Sequence, residues 1–277
     1  MDLTMLARRF LSILAAIIAV LGGIGDSLAQ PPSPTPLQPR LEAMRARGEL
    51  RVCMWPDYFA ISFRNPRSNE LEGIDIDLAR ALAQRLNLRL QFVETSFAGF
   101  MDRLEAGDCD IAMMAVGITA ARAQRVAFSR PYMASPIYAV TQRGNTRVRS
   151  WADIDQPGTV VAVAAGTVME PLMNRTLRRA ELMVVQPPRT REAEVLAGRA
   201  DVFMSDFPYT RRMVHMHDWA VVIEPPDRFG ETLYGWAVPL NDPAWLAEVN
   251  NFQAAARADG TLSRAAARHG LTPILLR

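Results

Sequence analysis

The chain is built from short apolar runs separated by polar, glycine-bearing or proline-bearing breaks. Leu50–Met54, Arg89–Glu94, Ile111–Val116, Thr159–Ala164 and Leu182–Val185 are each too short for a buried helix and read as strands. Between them the period changes. Ile74–Leu86 sets Ile76, Leu78, Leu82 and Leu86 near helical spacing, and Phe97–Glu105, Glu170–Arg178 and Thr190–Leu196 also read as helices. Trp55–Asn65 reads as an irregular aromatic loop, and Pro136–Thr141 and Thr232–Val238 as extended segments. Asp242-Pro243 supplies a cap and a first helical position for a helix through Ala258, with Gly260 at its end. Strands alternating with helices make this an α/β chain.

The run from Ile111 stops at Gly117, and Thr119 then caps a helix opening Ala120-Ala121-Arg122. A cation in a first helical turn opposes the helix dipole at a cost of roughly 0.3–1 kcal/mol. That placement suggests an anion for Arg122 to hold; a plain surface arginine is the competing reading. An internal echo adds weight. Gly107, Asp110 and Met113 recur as Gly198, Asp201 and Met204, all 91 positions on, which suggests two similar lobes. The same offset sets Ala115 against Asp206, both at the carboxyl end of a strand, where ligands of open α/β sheets gather. Arg122 and Asp206 then face a cleft from opposite lobes and complement a zwitterion.

Five segments carry a family resemblance: ITAARAQRVAFSRPY (118–132), ELEGIDIDLARALAQRL (70–86), VAVAAGT (161–167), LAGRADVFMSD (196–206) and ADGTLSRAAARHG (258–270). In their order along the chain they resemble the family 3 extracytoplasmic solute-binding proteins of amino-acid ABC transporters. The resemblance implies a two-lobed periplasmic-binding fold of type II, each lobe a doubly wound, mostly parallel sheet, joined by two hinge crossings. Lobe 1 is then 41–138 with 236–277, and lobe 2 is 139–235. It implies a monomer that hands a small amino acid or related carboxylate to an inner-membrane permease, with no cofactor. Carried over residue by residue, Arg122 takes the ligand carboxylate by a two-pronged hydrogen bond and Asp206 its ammonium. Thr167 and Val168 form the turn whose amides hold the carboxylate, valine standing where threonine is common. Ala115 and Gly117 line the cleft, Tyr58 stacks over the ligand, and Phe97 lines the side-chain pocket. With Met114, Tyr58 and Phe97 favour an apolar or uncharged side group. Core packing is the alternative for both aromatics.

Composition narrows the field. The chain has 277 residues, 49% of them hydrophobic, enough for two cores. The net charge of +2 and the lack of a basic block argue against nucleic acid. All 31 basic residues are arginine, which excludes P-loop and Schiff-base lysines. Arg8-Arg9, the apolar stretch 11–25 and Ser27-Leu28-Ala29 read as a signal peptide over 1–29, with a retained anchor as the alternative. Residues 30–40 read as a proline-rich linker, and the mature protein is expected in the periplasm. Cys53 and Cys109 lie on strands that the family order places side by side, so a disulfide is possible; two buried thiols are the other reading. His215, His217 and His269 do not suggest a metal site.

Two other functions fit the same fold. A few members are periplasmic dehydratases acting on cyclic dienyl carboxylates, which need a general acid in the cleft. Glu170 is the best-placed candidate and Glu231 the next. Simple placement near a helix start also accounts for Glu170. A sensor or accessory binding protein without a transporter is the third option.

Overall fold

The computed structural model describes residues 39–276, so the signal peptide and most of the proline-rich segment lie outside the described residues. The first helix, α1 (Pro39–Arg47), already begins at the last two residues of that segment. Among the described residues no helix is long and apolar enough to cross a membrane.

One sheet has the order β5-β1-β6-β14-β7, from β1 (Glu49–Met54), β5 (Arg89–Glu94), β6 (Ile111–Gly117), β7 (Val126–Phe128) and β14 (Thr232–Pro239), with β8 (Met133–Ser135) also on β14. β5, β1 and β6 run parallel, and β14 is antiparallel to its three partners. The second sheet has the order β11-β10-β12-β9-β13, from β9 (Ile137–Gln142), β10 (Val160–Ala164), β11 (Glu181–Val185), β12 (Val202–Asp206) and β13 (Ala220–Ile223). Here β11, β10 and β12 are parallel, and β9 and β13 antiparallel. The chain passes from the first sheet to the second at Pro136 and returns between β13 and β14. The two lobes of the expected fold are these two sheets with their helices: α2 (Ile74–Leu86), α3 (Phe100–Ala106), α4 (Ala120–Ala123), α8 (Pro243–Ala258) and α9 (Thr261–Arg268) with the first, and α5 (Met169–Thr176), α6 (Arg191–Leu196) and α7 (Phe207–Met216) with the second.

The sequence echo has a physical basis. Asp110 and Asp201 sit at equivalent places, just ahead of β6 and β12. Each donates its backbone N–H to the strand that runs parallel beside its own, to Arg51 O at 2.8 Å and Val160 O at 2.9 Å. Each side chain then accepts the N–H of that same residue, from Arg51 at 2.9 Å and Val160 at 2.8 Å. Gly107 and Gly198 both take a left-handed turn (φ 75° and 70°) that brings the chain round to these strands.

The aromatic loop holds more order than its sequence suggests. β2 (Asp57–Tyr58), β3 (Ser62–Arg64) and β4 (Leu71–Glu72) form a small antiparallel sheet, too short to register as alternation. Cys53 and Cys109 form a disulfide, with Cα atoms 5.6 Å apart.

Asp75, in the first turn of α2, is wholly buried. Its carboxylate accepts from Ala115 N–H at 2.8 Å, Tyr132 Oη at 2.7 Å and Trp236 Nε1 at 2.9 Å. Burial pushes its carboxyl from an ordinary 3.8 up to about 6, against the lowering effect of those donors. The folded protein therefore holds this proton more tightly than the unfolded chain does. The resulting stabilisation is complete below about pH 4 and is lost as pH rises through 6, a change of about 3 kcal/mol for a shift of two units. Urea unfolding at pH 4 and pH 7.5 should show this loss in the parent and its absence in Asp75→Asn. Equal pH slopes in the two proteins would refute the assignment.

Candidate functional site

The carboxyl ends of β6 and β12 meet at a small cavity of about 30 Å³ between the two sheets. Of the residues singled out by sequence, Tyr58, Phe97, Ala115, Gly117, Arg122, Thr167, Val168 and Asp206 line it. Met114 does not. Alternation along β6 sends its side chain into the core beside Cys53, Phe100 and Leu104, so it cannot shape a ligand pocket.

Arg122 is reached through the cap that its sequence announces. Thr119 Oγ1 accepts Arg122 N–H at 3.2 Å, and the side chain then turns inward to 7% exposure. Its Nη1 donates to Gly117 O and its Nη2 to Gly166 O, each at 2.8 Å, so one guanidinium touches both lobes. Phe97 and Phe100 lie beneath it, their centroids 5.8 and 5.6 Å from Cζ. Burial lowers its pKa to about 10, which leaves it a cation at neutral pH. Two of its five donors are used, so a fork remains for a carboxylate.

Asp206 ends β12 and caps α7. Its Oδ1 accepts Tyr209 N–H at 3.3 Å, and its Oδ2 accepts the hydroxyls of Tyr234, at 2.9 Å, and Tyr58. Burial and the nearby carboxylate push both phenols well above their ordinary pKa, so they stay protonated donors. Asp206 is the negative pole of the cavity, and Tyr58 spans from the first lobe to reach it.

Two glycines permit the close approach of the lobes. A Cβ on Gly117 would come 2.7 Å from Val168 Cγ1. A Cβ on Gly166 would come 2.7 Å from the Cα and N of Ala98, at φ 74°. Gly166→Ala should therefore prop the lobes apart and weaken ligand binding at least about tenfold by calorimetry, while the unliganded fold persists. Unchanged affinity would show that the contact is not needed for binding.

Trp55, Met169, Arg191, Ser205 and Tyr234 also line the cavity and escaped sequence reasoning. Ser205 Oγ is buried without a hydrogen-bond partner and is available to a ligand. Its position beside Asp206 was the one usable signal. Arg191, 5% exposed, donates to Met204 O at 3.0 Å and lies 4.2 Å over the Tyr209 ring, pairings set by tertiary packing alone. A larger cavity of about 450 Å³ adjoins the first and shares Trp55, Phe97, Thr167 and Arg191 with it.

The two glutamates considered as acids lie off the cavity lining. Glu170 Oε2 accepts Gly166 N–H at 2.7 Å, and Glu231 is ion-paired to Arg228, which lowers its pKa. Among the described residues no group of three or more His, Cys, Asp or Glu could hold a metal ion.

Residues 50–272 match the family model of bacterial extracellular solute-binding proteins, family 3. The chain belongs to that family. Cyclohexadienyl dehydratase of Pseudomonas aeruginosa is 30% identical to this family member over 200 residues, 70% of this chain and 74% of that one. The L-cystine-binding protein TcyJ of Escherichia coli is 25% identical over 262 residues, 95% of each chain. Among solved structures, the ancestral amino acid-binding protein AncCDT-1, a precursor of cyclohexadienyl dehydratase, superposes with a TM-score of 0.75 at 31% identity, covering 82% of this chain and 98% of its own.

Proposed function

We propose that this protein binds a small amino acid or related carboxylate between its lobes and presents it to an ABC-type permease from the periplasm, after removal of an N-terminal signal peptide over 1–29. Lobe 1 comprises 41–138 and 236–277, and lobe 2 comprises 139–235. The observation that carries the reading is Arg122: a buried cation with donors to spare, bridging the lobes at the strand ends, with the Asp206 carboxylate on the same cavity. Arg122 holds the ligand carboxylate, with the Thr167-Val168 turn beside it. Asp206 and its two phenols face the opposite polar end. Tyr58 and Phe97 flank the side group, at Ala115 and Gly117.

A thermal-shift screen of amino acids and small carboxylates tests this. A ligand at 100 times its Kd should add about 2.7 kcal/mol of stability. Its carboxamide counterpart should add none. A panel without any stabilising member would reject the reading.

The dehydratase relative supports a second reading, catalysis on a cyclic dienyl carboxylate. Such chemistry needs a general acid in the cavity. Glu170 is engaged with backbone outside the lining, and Glu231 is made more acidic by Arg228, so neither suits that task. Incubation with prephenate and arogenate distinguishes the readings: an aromatic product would establish the enzyme.

A further inference from the structure

β6 is not a regular strand where it meets the cavity. It pairs with β14 at Ala112↔Ala237 and again at Val116↔Gly235, so residues 113–115 stand opposite the single residue Trp236. This bulge drives Ala115 to φ 46°, a left-handed conformation costly for a residue with a Cβ. Ala115 N–H turns away from the ladder and is taken by Asp75 Oδ2 at 2.8 Å. The other oxygen of the same carboxylate accepts Trp236 Nε1 at 2.9 Å, from the residue opposite the bulge. Tyr132 Oη bridges both oxygens. Such strain persists only where surrounding structure over-determines it.

We infer that Asp75 is a positioning residue for ligand binding: it clamps the β6 bulge, and the bulge aims Ala115 and Gly117 at the cavity and sets the carbonyl that seats Arg122. Asp75 is 0% exposed and does not line this cavity, so it acts through the backbone it holds. The inference rests on the cavity being the ligand site, but the clamp itself can be measured without ligand.

The test uses the full chain with Asp75→Asn, Ala115→Gly and the double substitution. Hydrogen exchange followed by mass spectrometry reports the segment 112–118, and thermal shift with an equimolar mixture of the twenty L-amino acids and their 2-oxo acids reports the site. Asp75→Asn should speed exchange in 112–118 at least about tenfold, leave β5 unchanged, and cut the thermal shift by more than half. Glycine adopts positive φ without penalty, so the double variant should regain much of both losses. Unchanged exchange in Asp75→Asn, or equal losses in the single and double variants, would overturn the inference. Should Asp75→Asn fail to fold, Ala115→Val must reproduce the local exchange increase, and failure to do so overturns it equally. A parent that ignores the mixture counts against the proposed ligand, and the exchange result still decides the clamp.

Discussion

Arg122→Ala should abolish detectable binding of any ligand found by the screen, weakening it more than about 100-fold. Two charge-assisted hydrogen bonds from a guanidinium fork contribute about 1.5–3 kcal/mol each in a buried site. The unliganded fold should survive. Removal of the cation also removes its desolvation, the effect that lowers its pKa to about 10, and leaves the carbonyls of Gly117 and Gly166 to be met by water. Arg122→Lys should recover part of the affinity, because charge is kept but the planar fork is not. Calorimetry on the three proteins gives the ordering. A variant without Arg122 that binds like the parent would remove the site assignment, whatever the fold.

Opening the disulfide should produce the largest change in stability. The bridge joins β1 to the residue two places ahead of β6, two parallel neighbours paired at Cys53↔Ala112, and closes a loop of sequence separation 56. In the chain-entropy model that closure contributes about 4 kcal/mol. A double Cys→Ala variant should therefore lower the thermal midpoint by roughly 10 °C for a chain of this size. Both cysteines pack with Phe100, Leu104 and Met114 rather than at the cavity, so ligand affinity below the midpoint should hold. The closed loop contains Tyr58 and Phe97, both on the cavity lining. Equal urea midpoints for parent and variant would show that the loop is constrained by packing alone.

Local chemistry was legible along the chain. The helix over Ile74–Leu86 and the strand over Arg89–Glu94 have the residues expected of them. Thr119 and Asp242 cap the helices they precede, each through its own side chain. The repeat at Asp110 and Asp201 was readable because one short-range need, fixing an N–H of the neighbouring strand, recurs in each lobe. Charge at a strand end marked Arg122 and Asp206 for the same reason: the residue and its local backbone are a few positions apart.

Contacts between distant segments were not legible. Met114 looked like pocket lining because its neighbours line the pocket, but strand alternation along β6 turned it into the core. Tyr234 and Arg191 reach the cavity from elements far along the chain, and Asp75 finds Ala115, Tyr132 and Trp236 at separations of 40, 57 and 161 residues. Sequence by itself determined many of the strands and helices, the caps at Thr119 and Asp242 and the two charges presented at strand ends, because these depend on groups a few bonds or one helical turn apart. Tertiary structure alone decided which donors and acceptors meet in the interior, because buried polar groups must find partners wherever packing puts them.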